Sequence, residues 1–177
     1  GINSVSISVE IQFLARCTGE ENETDLYQTK EYFRVRHVAD SGSTYLLDYD
    51  RTMEQIFDPT KQVLSENGVL LGIADSDTPY LVNGDGSVVS FVTANELWNY
   101  NKNTDEASLV FSFMSAENTD PRNLVRQHKI WLLEMDDAGN TMFAVYGYMN
   151  RGVHEGQVGA AVYYYDIEQN SVEEKVF

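Results

Sequence analysis

The chain has 177 residues, with 12 Lys plus Arg against 28 Asp plus Glu and a net charge of −16. A field of that sign repels phosphate backbones and anionic lipid surfaces, so nucleic acid is not an expected partner. A length of this order suits one domain that buries a sizeable core without disulfide staples.

Residues 4 to 16, SVSISVEIQFLAR, alternate apolar and polar, with Val5, Ile7, Val9, Ile11 and Phe13 on one side. That is period 2, the mark of a half-buried strand. Cys17, the single cysteine, follows this run and is expected to be a plain buried thiol. The acidic TGEENETD (18 to 25) reads as a solvated loop. Alternation resumes at EYFRVRHV (31 to 38), and strands are expected at 44 to 49 and 52 to 57. Pro59 then punctuates the chain, because it lacks a backbone donor and restricts Asp58.

Further strands are expected at 69 to 74, 79 to 82, 87 to 92, 96 to 100 and 108 to 113, separated by Asn-Gly and Gly-Asp-Gly turns. The stretch SAENTDPRNLVRQH (115 to 128) is the longest without β character, with one helical turn expected after Pro121. Strands at 129 to 135, 141 to 149 and 157 to 165 follow. About a dozen short strands and almost no helix predict an all-β antiparallel fold, a sandwich, barrel or propeller. The expected core is Val5, Ile7, Val9, Phe33, Val35, Leu71, Ile73, Phe91, Trp98, Phe111, Phe113, Ile130, Leu132, Phe143, Val145 and Val162.

Three segments share a pattern: YLLDYDRTMEQIFD (45 to 58), ELWNYNKNTDEASLVFSF (96 to 113) and AAVYYYDIEQNSVEEKVF (160 to 177). Each carries Tyr followed by Asp or Asn, then a polar turn, then an apolar residue followed by Phe. The marker pairs are Tyr49-Asp50, Tyr100-Asn101 and Tyr165-Asp166. The physical reading is a two-stranded hairpin in which Asp or Asn opens the turn by bonding its own backbone. With two strands before each hairpin, the chain would hold three blade-like four-stranded units, a partial or half propeller; the alternative is a β-sandwich. One domain is expected over 1–177, a piece of a larger protein, with sub-units 1–58, 67–113 and 128–177.

The segment LWNYNKNTDEASLVFSF resembles the outer hairpins of bacterial β-propellers of the TolB or WD40 type. VYGYMNRGVHEGQVG resembles a segment of large extracytoplasmic proteins of clostridial gut bacteria, some of them similar to the sensor-kinase regulator YycH. The resemblance implies a location outside the cytoplasm or at the cell surface. No apolar run approaches the ~18 residues of a membrane span, so anchoring is expected only through segments outside these residues.

The chemistry is sparse. The histidines are His37, His128 and His154, without an HExxH motif. GxSxG, P-loop and Cys-His signatures are missing, and NGDGS (83 to 87) and DDAGN (136 to 140) lack the ligand register of an EF-hand. No catalytic residue, metal or cofactor is expected, and the chain reads as no enzyme. The unusual feature is NRGVHEG (150 to 156), a polar loop between two strongly β-type runs. It has two readings. In one it is a bulged hairpin with Arg151 paired to a carboxylate. In the other it is a recognition loop using Tyr146, Tyr148, Arg151, His154 and Glu155.

Two functions follow. The first is a non-catalytic interaction module that binds a protein partner or self-associates, supported by the 11 Tyr, a residue type suited to interfaces. The alternative is a carbohydrate-binding module, in which aromatic strands and carboxylates would stack on and hydrogen-bond to sugars.

Overall fold

The computed structural model describes residues 6–19, 24–61, 64–65, 68–69, 77–114 and 120–177. The fold is all-β and antiparallel, with thirteen strands and one 3₁₀ turn among those residues. The chain forms two compact units, Gly1–Ile56 and Phe57–Phe177. The expected core residues Val5, Leu71 and Ile73 lie outside the described residues.

The first unit is one three-stranded meander, sheet A: β1 (Ile7–Thr18), β2 (Thr24–Val38) and β3 (Ser43–Gln55). It has three strands where four were expected. The hairpin expected around Tyr49-Asp50 is also absent, because β3 runs straight through it. Tyr49 pairs with Phe33 and Asp50 with Tyr32, so the Asp-rich stretch is absorbed into a long ladder. Alternation in β1 does not produce a core. Ile7, Val9 and Ile11 are 36%, 42% and 45% exposed, because no second layer within the unit covers the sheet among the described residues. Phe33 and Val35 are half-buried. Cys17, expected to be buried, is a free and exposed thiol in β1, paired with Asp25 beside the last β1–β2 pair, Thr18 with Thr24.

In the second unit, β4 (Leu64–Ser65) and β5 (Gly68–Val69) form a small ladder, sheet B. Two four-stranded meanders follow. Sheet C consists of β6 (Tyr80–Val82), β7 (Val88–Thr93), β8 (Glu96–Asn101) and β9 (Glu106–Phe111). Sheet D consists of β10 (His128–Met135), β11 (Thr141–Tyr148), β12 (Val158–Asp166) and β13 (Ser171–Val176). Between them, Pro121–Leu124 forms the 3₁₀ turn after the expected proline, which fits because Pro lacks only a donor that is unpaired at a helix start.

The two sheets pack face to face, β10 against β6 and β13 against β9. Alternation works in β7, β10 and β11 because these strands have a covered side, whereas every residue of β13 is exposed. Leu97, Phe113, Ile130, Leu132, Phe143 and Val145 are buried in one shared cluster. Phe111 lies edge-on to Phe143 at 5.8 Å and against Tyr163 at 5.4 Å. The opposite face of sheet C carries a second cluster, where Phe57 meets Phe91 and Trp98 edge-on at 5.3 and 5.1 Å. Val162, expected in the core, is on the outward side. β12 alternates unbroken against β11, so Val162 shares the outward side with Ala144, and Ala161 and Tyr165 take the buried positions.

The hairpins β8–β9 and β12–β13 repeat one device. Tyr100 Oη donates to Asp105 Oδ1 and Tyr165 Oη donates to Asn170 Oδ1, each at 3.0 Å. Asn101 Oδ1 and Asp166 Oδ1 each accept a backbone N–H inside the turn at 2.9 Å. The Asn and Asp side chains therefore open these two turns as the sequence pattern predicts.

Candidate functional site

The two sheets differ at the connection between their second and third strands. In sheet C, Ala94-Asn95 closes β7 onto β8 with both residues at positive φ (47° and 61°), a tight hairpin turn. In sheet D the same connection is the loop 149–157, which contains NRGVHEG. Met149 roots the loop in the shared core, and paired bonds (Met149 N to Gln157 O, Gly156 N to Met149 O, each 2.8 Å) close its base.

The loop is tied to the 3₁₀ turn by charge. Asp120 caps that turn by accepting from Arg122 N at 2.9 Å. Arg122 reaches Asp120 Oδ2 at 2.9 Å and grips both oxygens of Glu155 at 2.9 and 3.0 Å. Arg151 Nη2 reaches Asp120 Oδ2 at 2.9 Å and Asn123 Oδ1 at 2.8 Å, and its Nε donates to the Phe113 carbonyl. Asn150 donates to the Arg122 and Val125 carbonyls at 2.9 and 2.8 Å. Donation from the Arg122 side chain, then from its backbone and from Arg151, holds the Asp120 carboxyl well below the usual carboxylate range.

His154 and Glu155 diverge. Glu155 turns to Arg122, while His154 Nε2 meets Glu174 Oε1 at 2.8 Å and its ring stacks on Phe177 at 3.6 Å. Tyr163 donates to the other Glu174 oxygen at 3.1 Å. The bond from His154, with help from Tyr163, lowers the Glu174 pKa. Burial and then Glu174 push the Tyr163 phenol up to about 12. Thus Arg151, His154 and Glu155 are held in internal ion pairs and hydrogen bonds. Their arrangement is a clasp that shapes the loop.

Tyr146 and Tyr148 belong elsewhere. They face outward from sheet D, Tyr146 being 40% exposed and Tyr148 half-buried. Tyr146 pairs with Lys129 and is the diagonal neighbour of Trp131, which pairs with Ala144. Trp131 is 64% exposed, Leu133 44%, Val158 79% and Val176 58%. Sequence reasoning missed Trp131 as a surface residue. The signal was available, because Ile130 and Leu132 already fill the inward side of the same strand.

A cavity of about 10 Å³ lies among Asn95, Arg126, His128 and Asn150. His128 Nδ1 and Asn150 Oδ1 are buried there without a hydrogen-bond partner among the described residues. Burial lowers the His128 pKa, and nearby Arg126 lowers it further. A polar groove of about 580 Å³ runs between the turns of the two sheets, lined by Thr104, Glu106, Ser108 and Glu168 among others. No group of three or more metal-ligating side chains converges among the described residues. Comparison with protein-family models, with curated proteins and with solved structures finds no match to this chain.

Proposed function

We propose that this chain is a non-catalytic interaction module that binds protein through the outer face of sheet D. One observation carries this reading: Trp131, Leu133, Tyr146, Val158 and Val176 are exposed on a fully formed sheet, and among the described residues of the second unit no layer covers them. An antiparallel sheet face in contact with water ordinarily alternates to polar residues. Contiguous exposed apolar surface of this kind marks an interaction site, and Trp and Tyr are the side chains that interfaces enrich. We read sheets C and D as successive blades of an open, propeller-like stack. We place the protein outside the cytoplasm on its sequence resemblance alone.

The carbohydrate reading keeps one supporting observation. Trp131 and Tyr146 sit diagonally on one face of sheet D, within reach of one planar ligand. The test compares binding of extracellular proteins and of soluble polysaccharides to the wild-type and Trp131→Ser chains. A bound protein that is lost with Trp131→Ser supports the protein-binding reading. Polysaccharide binding that is lost with the same substitution overturns it in favour of sugar.

A further inference from the structure

The exposed face of sheet D has a buried counterpart in the same molecule. We propose that it receives a further four-stranded antiparallel sheet of the same hairpin-tyrosine type, stacked on sheet D as sheet D stacks on sheet C. This sheet would be carried by a partner polypeptide and not by a second copy of the chain. The assignment deepens the protein-binding reading above and rests on it.

The correspondence between the sheets is positional. Leu97 pairs with Phe111, and the register shifts between Leu97 and Trp98. Val162 pairs with Val176, and the register shifts between Val162 and Tyr163. Each shift stands three residues before the tyrosine that bonds the end of its turn, Tyr100 or Tyr165. A constant offset of 65 residues therefore maps Leu97, Asn99 and Phe111 onto Val162, Tyr164 and Val176.

The mapped faces point the same way along the stack. Trp98 and Tyr100 look away from sheet D, toward Phe57. Their counterparts Tyr163 and Tyr165 look toward sheet C. Consequently the Leu97 face of sheet C is the face that sheet D covers. Leu97 is 0% exposed and Asn99 2%. The matching face of sheet D keeps Val162, Tyr164 and Val176, yet Val176 is 58% exposed. Sheet D thus repeats the covered surface of sheet C at the positions where a terminal, solvated sheet would carry polar side chains.

The incoming sheet must present the equivalent of the Tyr163–Tyr165 side. In this chain both such sides are already used. Tyr165 is 1% exposed, and Tyr100 and Trp98 are 5% and 8% exposed. Among its described residues a second copy has no free face of that type to offer. Two copies would also each bring a charge of −16, and like charges of that size repel.

The experiment extends the full chain by repeating residues 112–177 directly after Val176, which reproduces the native connection after Phe111. Trp131→Phe in the repeated copy leaves Trp98, which is buried, and the original Trp131 as reporters. Acrylamide should quench Trp131 in the 177-residue chain and lose that access in the extended one, with the repeated strands gaining amide-exchange protection. Unchanged quenching overturns the proposal, whether or not the repeated strands become protected. Sedimentation of the 177-residue chain supplies the second arm. A monomer with accessible Trp131 at every concentration supports the proposal, whereas dimerisation that shields Trp131 makes a second copy the occupant and overturns it. If Trp131→Ser abolishes protein binding but the extended chain leaves Trp131 quenched, only the sheet partner falls. If Trp131→Ser abolishes no protein binding, the protein-binding reading falls with it.

Discussion

Tyr100 and Tyr165, 65 residues apart, each donate a hydroxyl to the residue five positions on, and both acceptors sit at positive φ: Asp105 at 56° and Asn170 at 47°. The bond spans the turn and locks the hairpin's end to a ring packed in the core. Tyr100→Phe and Tyr165→Phe keep the ring and lose the bond, so each should destabilise by ~1 kcal/mol in urea titrations. At the acceptor, Asp105→Gly should cost less than Asp105→Ala, because a left-handed backbone favours glycine. Equal costs would show that backbone conformation matters little there.

Arg151 joins the loop to Asp120, Asn123 and the Phe113 carbonyl, with 19% of its side chain exposed. Arg151→Ala should lower the melting midpoint by ~5 °C, the scale expected when several bonds to a charged group are lost from a chain of this size. Arg151→Lys should recover only part of the loss, since a single ammonium cannot reproduce the guanidinium fork. A midpoint unmoved by Arg151→Ala would show that the clasp does not hold the loop.

A side chain at Gly147 would run into the Gln127 carbonyl, and its φ of +116° is strained for any other residue. At Gly152 φ is +83° but nothing lies within 4 Å. Gly147→Ala should therefore cost clearly more than Gly152→Ala, with ~1–2 kcal/mol expected at Gly152 from backbone strain alone. Guanidinium titration of the two variants in parallel measures the difference.

Burial and the Glu174 carboxylate raise the Tyr163 phenol to about 12. A pKa raised in the folded state contributes stability that is complete below the unfolded value of ~10 and fades as pH climbs through the folded value. Between the unfolded value of ~10 and the folded value the wild type should therefore lose stability with rising pH more steeply than Tyr163→Phe, which has no phenol to ionise. Phenolate absorbance should show one tyrosine titrating near 12 that disappears in Tyr163→Phe.

For His128 the sign is opposite. Burial lowers its pKa, so its contribution is present above the unfolded value of ~6.5 and is lost as pH falls through the lower folded value. NMR titration should find the His128 ring neutral below its ordinary range. A normal titration would show that the ring can be hydrated in the folded state.

The legible parts of the fold were those where a strand has one covered side. Ile130, Leu132, Phe143 and Val145 alternate in sequence and sit in the core, because sheet C lies against them. Val162 was misplaced because YYY gives no alternation to phase β12, which runs unbroken against β11, while the register shift beside Val162 puts its extra residue, Lys175, in β13. The first unit misled for a different reason. Its alternation is as regular as that of sheet D, but period 2 records that a strand has two unlike sides, not that something in its own unit covers one. In the loop, composition marked NRGVHEG as unusual, yet the partners of its charges, Asp120, Arg122 and Glu174, come from distant positions that spacing cannot reveal.

In the three- and four-stranded sheets every strand pairs only with its immediate neighbours in sequence. No strand has to wait for a distant segment before its ladder can form, which keeps loop-closure costs low and folding fast for a β protein. Synthesis from the N-terminus would complete each meander in turn, with sheet C finished before the first strand of sheet D emerges. Within the second unit the pair is therefore assembled by accretion, finished sheet C serving as the template on which sheet D condenses.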